Sequence, residues 1–87
     1  MYSLELTEQY KKQFRKLDRP VQVTISKWLV KHVERSNNPR LRGKELIGNR
    51  SGEWRYRIGN YRVIVQIQDD KLIVLALEVG HRKEVYQ

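Results

Sequence analysis

Eighty-seven residues are enough for one domain with a modest core and too few for a second, so a single domain over 1-87 is expected. The lack of cysteine excludes disulfides, thiolate metal sites and a cysteine nucleophile. Two histidines in basic surroundings, His32 and His81, make a poor metal site, so neither metal nor cofactor is expected. Eighteen Lys and Arg against ten Asp and Glu give a formal charge of +8, which favours a polyanionic partner, nucleic acid first and an acidic protein second.

The chain opens with Tyr2, Leu4 and Leu6 alternating against Ser3 and Glu5, the pattern of a short strand. Thr7 is placed to cap a helix in which Tyr10, Phe14 and Leu17 recur at helical spacing, with Lys11, Lys12, Arg15 and Lys16 on the outer arc. Asp18-Arg19-Pro20 breaks the chain and starts a longer helix, because proline is tolerated in a first helical turn and not later. Val21, Ile25, Trp28, Leu29, His32 and Val33 form its apolar stripe, while Lys27, Lys31, Glu34 and Arg35 point away. His32, at the edge of that stripe, reads as a packed histidine with no functional role. Ser36-Asn37-Asn38-Pro39 stops the helix, since the proline ring excludes helical geometry at the residue before it. Arg40, Arg42 and Lys44 then surround Leu41 and Gly43, and Gly48 to Gly52 loosens the chain again. This connection reads either as a solvated loop or as a basic arm that follows a sugar-phosphate backbone.

Beyond it, Trp54, Tyr56 and Ile58 alternate with Arg55 and Arg57, the period of a half-buried strand, and Gly59-Asn60 supplies a two-residue turn. That turn sets Ile58 opposite Tyr61, Arg57 opposite Arg62 and Arg55 opposite Ile64. The register that gathers Trp54, Tyr56, Ile58, Val63, Val65 and Ile67 on one face therefore gathers the three arginines on the other. Like charges directly opposite in a ladder cost up to about 1 kcal/mol. Such a pair persists either as splayed, salt-screened surface side chains or because an anion sits between two guanidinium forks. Asp69-Asp70 makes a second turn. Leu72 to Leu77, apolar throughout, reads as a central strand covered on both faces. It is also the longest apolar run, far short of a membrane span, and the opening residues carry no leader pattern, so a cytoplasmic protein without membrane contact is expected. The fold class expected is α+β, in the order β-α-α-β-β-β, with two N-terminal helices packed on one face of a small twisted, mainly antiparallel sheet. The other face then carries the arginines around a partly apolar floor.

The last strand returns beside Tyr61 to Gln68, so Gly80-His81-Arg82-Lys83-Glu84-Val85-Tyr86 should emerge near the Gly59-Asn60 end, close to Arg57 and Arg62. No serine has a histidine at a recognisable spacing, and Glu53, Glu78 and Glu84 show no paired pattern, which argues against a protein nucleophile. RNA brings its own. A ribose 2′-hydroxyl attacks the adjacent phosphorus if a protein aligns it, takes its proton, neutralises the phosphorane and protonates the leaving 5′-oxygen. Arginines suit the neutralisation, His81 can serve as acid or base, and Tyr86 can orient, stack or transfer a proton. DNA lacks the 2′-hydroxyl, so this chemistry is specific to RNA.

The run Trp54-Arg55-Tyr56-Arg57-Ile58-Gly59-Asn60-Tyr61-Arg62-Val63-Ile64, with Val79-Gly80-His81-Arg82-Lys83-Glu84-Val85-Tyr86 and the Leu41 to Leu46 segment, resembles the RelE branch of the RelE/ParE toxin superfamily. The resemblance covers essentially the whole chain. It implies the toxin of a type II toxin-antitoxin system, a metal-independent endoribonuclease that enters the ribosomal A site and cleaves translated mRNA to a 2′,3′-cyclic phosphate and a 5′-hydroxyl. It also implies a cognate antitoxin that wraps the toxin in a hetero-oligomer. Carried onto this chain, the catalytic positions are Arg55, Arg57, Arg62, Arg82 and Tyr86, to which the residue reading adds His81. Lys11, Lys12, Lys27, Lys31, Arg40, Arg42 and Lys44 are the expected contacts to RNA and ribosome. Arginines stand where the family pattern usually has lysines, and arginine surrenders a proton far less readily. Two other readings compete: a ParE-like toxin that binds DNA gyrase without chemistry of its own, and an inactive member that serves only within an antitoxin complex.

Overall fold

The computed structural model describes residues 1–85. Strand β1 (Ser3–Leu6) leads into helices α1 (Glu8–Arg15) and α2 (Arg19–His32). Strand β2 (Gly43–Glu45), a 3-10 turn (Gly48–Arg50), strands β3 (Glu53–Ile58), β4 (Tyr61–Gln68) and β5 (Ile73–His81), and a short helix α3 (Arg82–Val85) follow. The sheet runs β1-β5-β4-β3-β2, antiparallel except for the β1/β5 pair, and it is not closed. The expected α+β order holds, with one addition: part of the basic connection is an edge strand, Gly43 opposite Tyr56, Lys44 opposite Arg55 and Glu45 opposite Trp54. Sequence missed it because three residues with one glycine and two charges carry no apolar alternation.

Thr7 caps α1 as expected, its Oγ1 accepting from the Tyr10 amide and donating to the Ala76 carbonyl of β5. Asp18 occupies the cap position of α2 without a side-chain cap bond. The corner between the helices is closed instead by Gln22, whose Nε2 donates to the carbonyls of Phe14 and Leu17. Helix α2 ends earlier than Pro39 requires: Arg35 takes a left-handed φ of 63°, and its amide donates to the Tyr2 carbonyl while the Tyr2 amide donates to that of Ser36.

Tyr10, Ile25, Leu29 and Val33 from the helices meet Tyr56, Ile58, Val63, Val65, Val74, Ala76 and Val79 from the sheet, all buried. Each valine, leucine and isoleucine among them contributes about 1.5–3 kcal/mol on burial. Ile64 is fully buried yet stands outside this cluster, because it lies on the reverse face as the apolar floor foreseen there.

The second turn spans four residues, with Leu72 in a left-handed φ of 55°, so Leu72 does not belong to the strand as its apolar character suggested. Strand β5 also carries a bulge: Val65 pairs with Ala76 but Ile64 pairs with Glu78, leaving Leu77 as the extra residue. Side-chain parity inverts there. Val74 and Ala76 face the helices before the bulge and Val79 after it, while Glu78 is turned out of the core onto the arginine face.

Strand β2 is held close to the core by glycine. A Cβ at Gly43 would lie 3.1 Å from the ring of Tyr56, which is fully buried and anchored by its hydroxyl donating to the Pro39 carbonyl at 2.5 Å. That ring cannot move aside. Gly43→Ala is expected to destabilise the fold by about 1–3 kcal/mol, the cost of overpacking a fixed side chain, read as a lower urea midpoint.

Candidate nucleic-acid interface

The hairpin register is the one the turn dictates: Ile58 opposite Tyr61, Arg57 opposite Arg62, Arg55 opposite Ile64. Paired residues share a face, so the helix-free side of the sheet can be laid out as rows. One row reads Arg57, Arg62, Gly80; the next reads Lys44, Arg55, Ile64, Glu78; the third begins Glu53, Gln66. The bulge puts Gly80, which has no side chain, directly opposite Arg62. Arg57 is exposed and Arg55 and Arg62 are half-buried. Arg55 buries its Nε with no hydrogen-bond partner among the described residues, a donor that the fold itself does not use.

Arg50 brings a fourth guanidinium to this side. From the 3-10 turn it reaches Glu53 through Nε at 2.8 Å and Glu78 through Nη2, tying two half-buried carboxylates together. The sequence reading saw no paired carboxylates because 25 positions separate them along the chain.

His81 departs from expectation. It pairs with Tyr61, on the helix side, and the two rings meet edge to face at 5.6 Å. Its Nδ1 accepts from the Lys83 amide, which makes it a cap for α3. The register therefore puts His81 on the opposite side of the sheet from Arg55, Arg57 and Arg62, and the cause is the bulge, which inverts the alternation ahead of it. Arg82 follows at the turn end, exposed, with its amide donating to the Asn60 carbonyl at 2.9 Å, so the tail does return to the hairpin tip as expected. Tyr86 lies outside the described residues.

The basic connection divides in the same way. Arg40 lies over the Trp54 ring at 5.6 Å and makes a two-pronged ion pair with Asp69 at 2.8 and 3.0 Å, which Tyr2 Oη joins at 2.6 Å. It is thus a clasp between the connection, the second turn and the N-terminal strand. Arg42 stands near His32, whose pKa is lowered by desolvation first and by Arg42 and Lys31 next. His32 also packs against Trp28 at 4.8 Å, the structural role foreseen for it. Lys11, Lys12, Lys27 and Lys31 are exposed on the helical layer, Lys11 paired with Glu8. Of the seven expected RNA or ribosome contacts, Lys44 alone belongs by register to the arginine face.

Among the described residues no His, Cys, Asp or Glu cluster could hold a metal ion, and no helix is long and apolar enough to cross a membrane. What the face offers is anion binding: guanidinium forks two strands wide, over an apolar floor, with few competing carboxylates left unpaired.

A family model described as the ParE toxin of type II toxin-antitoxin systems matches residues 4–86. The mRNA interferase toxin RelE of Escherichia coli (strain K12) is 33% identical over 88 residues, covering 98% of this chain and 90% of the relative. Among solved structures, the toxin-antitoxin complex RelBE2 from Mycobacterium tuberculosis superposes with a TM-score of 0.85 at 26% identity, over 93% of this chain and 98% of that one. The isolated Escherichia coli RelE toxin gives 0.75 at 30% identity, over 99% and 92%.

Arg40 and Tyr2 hold the Asp69 carboxyl down to about 2. A depressed folded-state pKa contributes stability above the unfolded value of about 3.9 and loses it as pH falls toward 2. Wild type should therefore be more heat-stable than Asp69→Asn at pH 5, and the gap in Tm should narrow steadily between pH 4 and pH 2.

Proposed function

The chain belongs to the RelE/ParE toxin superfamily of type II toxin-antitoxin systems, and from that membership we propose that it is a ribosome-dependent endoribonuclease cleaving translated mRNA in the A site. The observation that carries this reading is the Arg57/Arg62 pair, directly opposed on the helix-free face with Arg55 in the adjacent row. A scissile phosphate between those forks relieves their repulsion and has its developing charge neutralised as the 2′-oxygen attacks. No metal is needed for that step. The positive charge is supplied by side chains already in position, and the nucleophile by the substrate.

Arg57 and Arg62 hold the scissile phosphate, Arg55 supports the phosphorane from the next row, and Arg82 closes on it from the tail. Tyr86 is assigned by the family pattern to orienting or stacking on the substrate. The exposed lysines of the helical layer, Lys11, Lys12, Lys27 and Lys31, together with Arg42, point away from that face and suit contacts to the ribosome, which presents RNA on several sides of the A site. His81, committed to Tyr61 and α3, has no place in the proton transfer. The partner in the resting state is a cognate antitoxin, and a surface of formal charge +8 suits an acidic, partly disordered segment.

The ParE description of the matching family model favours a second reading, inhibition of DNA gyrase by protein binding. It assigns no work to the opposed arginines. Assaying supercoiling beside mRNA cleavage separates the two.

Incubated with programmed ribosomes, the protein is expected to leave 2′,3′-cyclic phosphate and 5′-hydroxyl ends at A-site codons; an intact message at stoichiometric protein rejects the nuclease. Arg62→Ala should slow cleavage by about 10²–10³-fold, the usual effect of removing one preorganised charge-stabilising donor. Its circular dichroism should match wild type, whereas loss of the folded signal would make that arginine structural.

A further inference from the structure

Proton transfer is the part of the reaction that the arginines leave open. A guanidinium does not give up its proton in a protein, yet the departing 5′-oxygen needs one. On the helix-free face of β2 to β5 the described residues that can exchange a proton are Lys44, Glu53 and Glu78; Glu5 shares the face but stands on β1, at the opposite edge of the sheet from β2. Both carboxylates are engaged by Arg50. His81 is turned to the helix side by the bulge. The Lys44 side chain is exposed and makes no hydrogen bond or ion pair among the described residues.

Its position is set by backbone pairing and not by chance of a loop. Lys44 sits directly across from Arg55, and Gly43 across from Tyr56, so Arg57 is its diagonal neighbour, about 7–8 Å away between Cα atoms. That distance lies within reach of a long, unbranched side chain. A one-residue slip would send Lys44 to the helix side, but it would also bring a residue with a Cβ to within about 3.1 Å of the Tyr56 ring, where Gly43 now lies, and this tight contact disfavours it. Glu45, the next residue, faces the other way, opposite Trp54.

We propose that Lys44 is a catalytic residue, the general acid that protonates the leaving 5′-oxygen of a ribonucleotide gripped by Arg57 and Arg62. This rests on the RNA-cleavage reading above. The 2′-oxygen forms its bond to phosphorus and releases its proton to water. The P–O5′ bond breaks, and the Lys44 ammonium delivers a proton to O5′. The neutral amine then regains a proton from water, so the step is a balanced transesterification. An ammonium carries a transferable proton where a guanidinium does not, and its flexible four-carbon stem lets it follow the leaving oxygen.

The test compares wild type, Lys44→Ala, Lys44→Arg and the control Glu45→Gln on ribosomes carrying two messages. One has the natural 5′-oxygen at the scissile position, and the other has a bridging sulfur, which leaves as a thiolate without needing a proton. On the oxygen message both Lys44 variants should be slower by about 10²–10⁴-fold, the range for losing a general acid, and Glu45→Gln should match wild type. On the sulfur message all four should cleave at similar rates. Equal slowing of Lys44→Ala on both messages, full activity of Lys44→Arg on oxygen, or no slowing at all overturns the proposal while leaving the nuclease intact. A wild-type protein that leaves both messages whole overturns the nuclease reading and this one with it.

Discussion

Strand side chains alternate with a period of two, and that rule decides everything about this molecule's two faces. A slip of one residue exchanges them. The Gly59-Asn60 turn sets the phase of β3 against β4, so that Arg55, Arg57 and Arg62 share the side away from the helices while Tyr56, Ile58, Val63 and Val65 fill the core. The bulge at Leu77 resets the phase of β5 partway along. Without it, Glu78 would oppose Val63 in the core and Val79 would oppose Arg62. With it, a charge leaves the interior, an aliphatic side chain enters it, and the position beside Arg62 falls to glycine.

The same arrangement explains how a small sheet tolerates so many cations on one surface. The opposed arginines repel by up to about 1 kcal/mol, a modest sum against the burial of eleven core residues on the reverse side. Elsewhere the excess is absorbed within the fold. Arg50 binds Glu53 and Glu78, and Arg40 binds Asp69 while lying over Trp54. The cations that remain for a partner divide into the arginine face with Lys44 and the lysines of the helical layer. Two basic surfaces on opposite sides of the sheet are thereby available to polyanionic partners.

The superfamily frame places chemistry on a scaffold of very few parts. With no cysteine in the chain, His81 turned to the helix side, and Glu53 and Glu78 both engaged by Arg50, cations are the dominant groups on the arginine face. Cleavage by the substrate's own 2′-hydroxyl asks for little more: alignment, neutralisation and a proton for the leaving group. Where the family pattern has lysines on the first hairpin strand, this chain has arginines at 55 and 57, and the amine in their neighbourhood stands one strand over. On the proposed mechanism, charge stabilisation and proton delivery are thereby divided between different side chains.

The amino-acid sequence by itself determined the helices, the hairpin and its register, and hence the arginine face. Those depend on local rules: helical spacing, the Thr7 cap, and a two-residue turn whose geometry leaves one pairing. The helix stripe with His32 packed at its edge was legible for the same reason. Only the tertiary structure decided the rest. The bulge at Leu77 is unreadable in a run apolar at every position, so the inversion that removes His81 from the site was hidden. Strand β2 exists because Gly43 can lie against Tyr56, and the clasp of Arg40 on Asp69 and the bridge from Arg50 to Glu78 span 29 and 28 positions of sequence. Contacts of that range follow from how the layers close, and no local pattern encodes them.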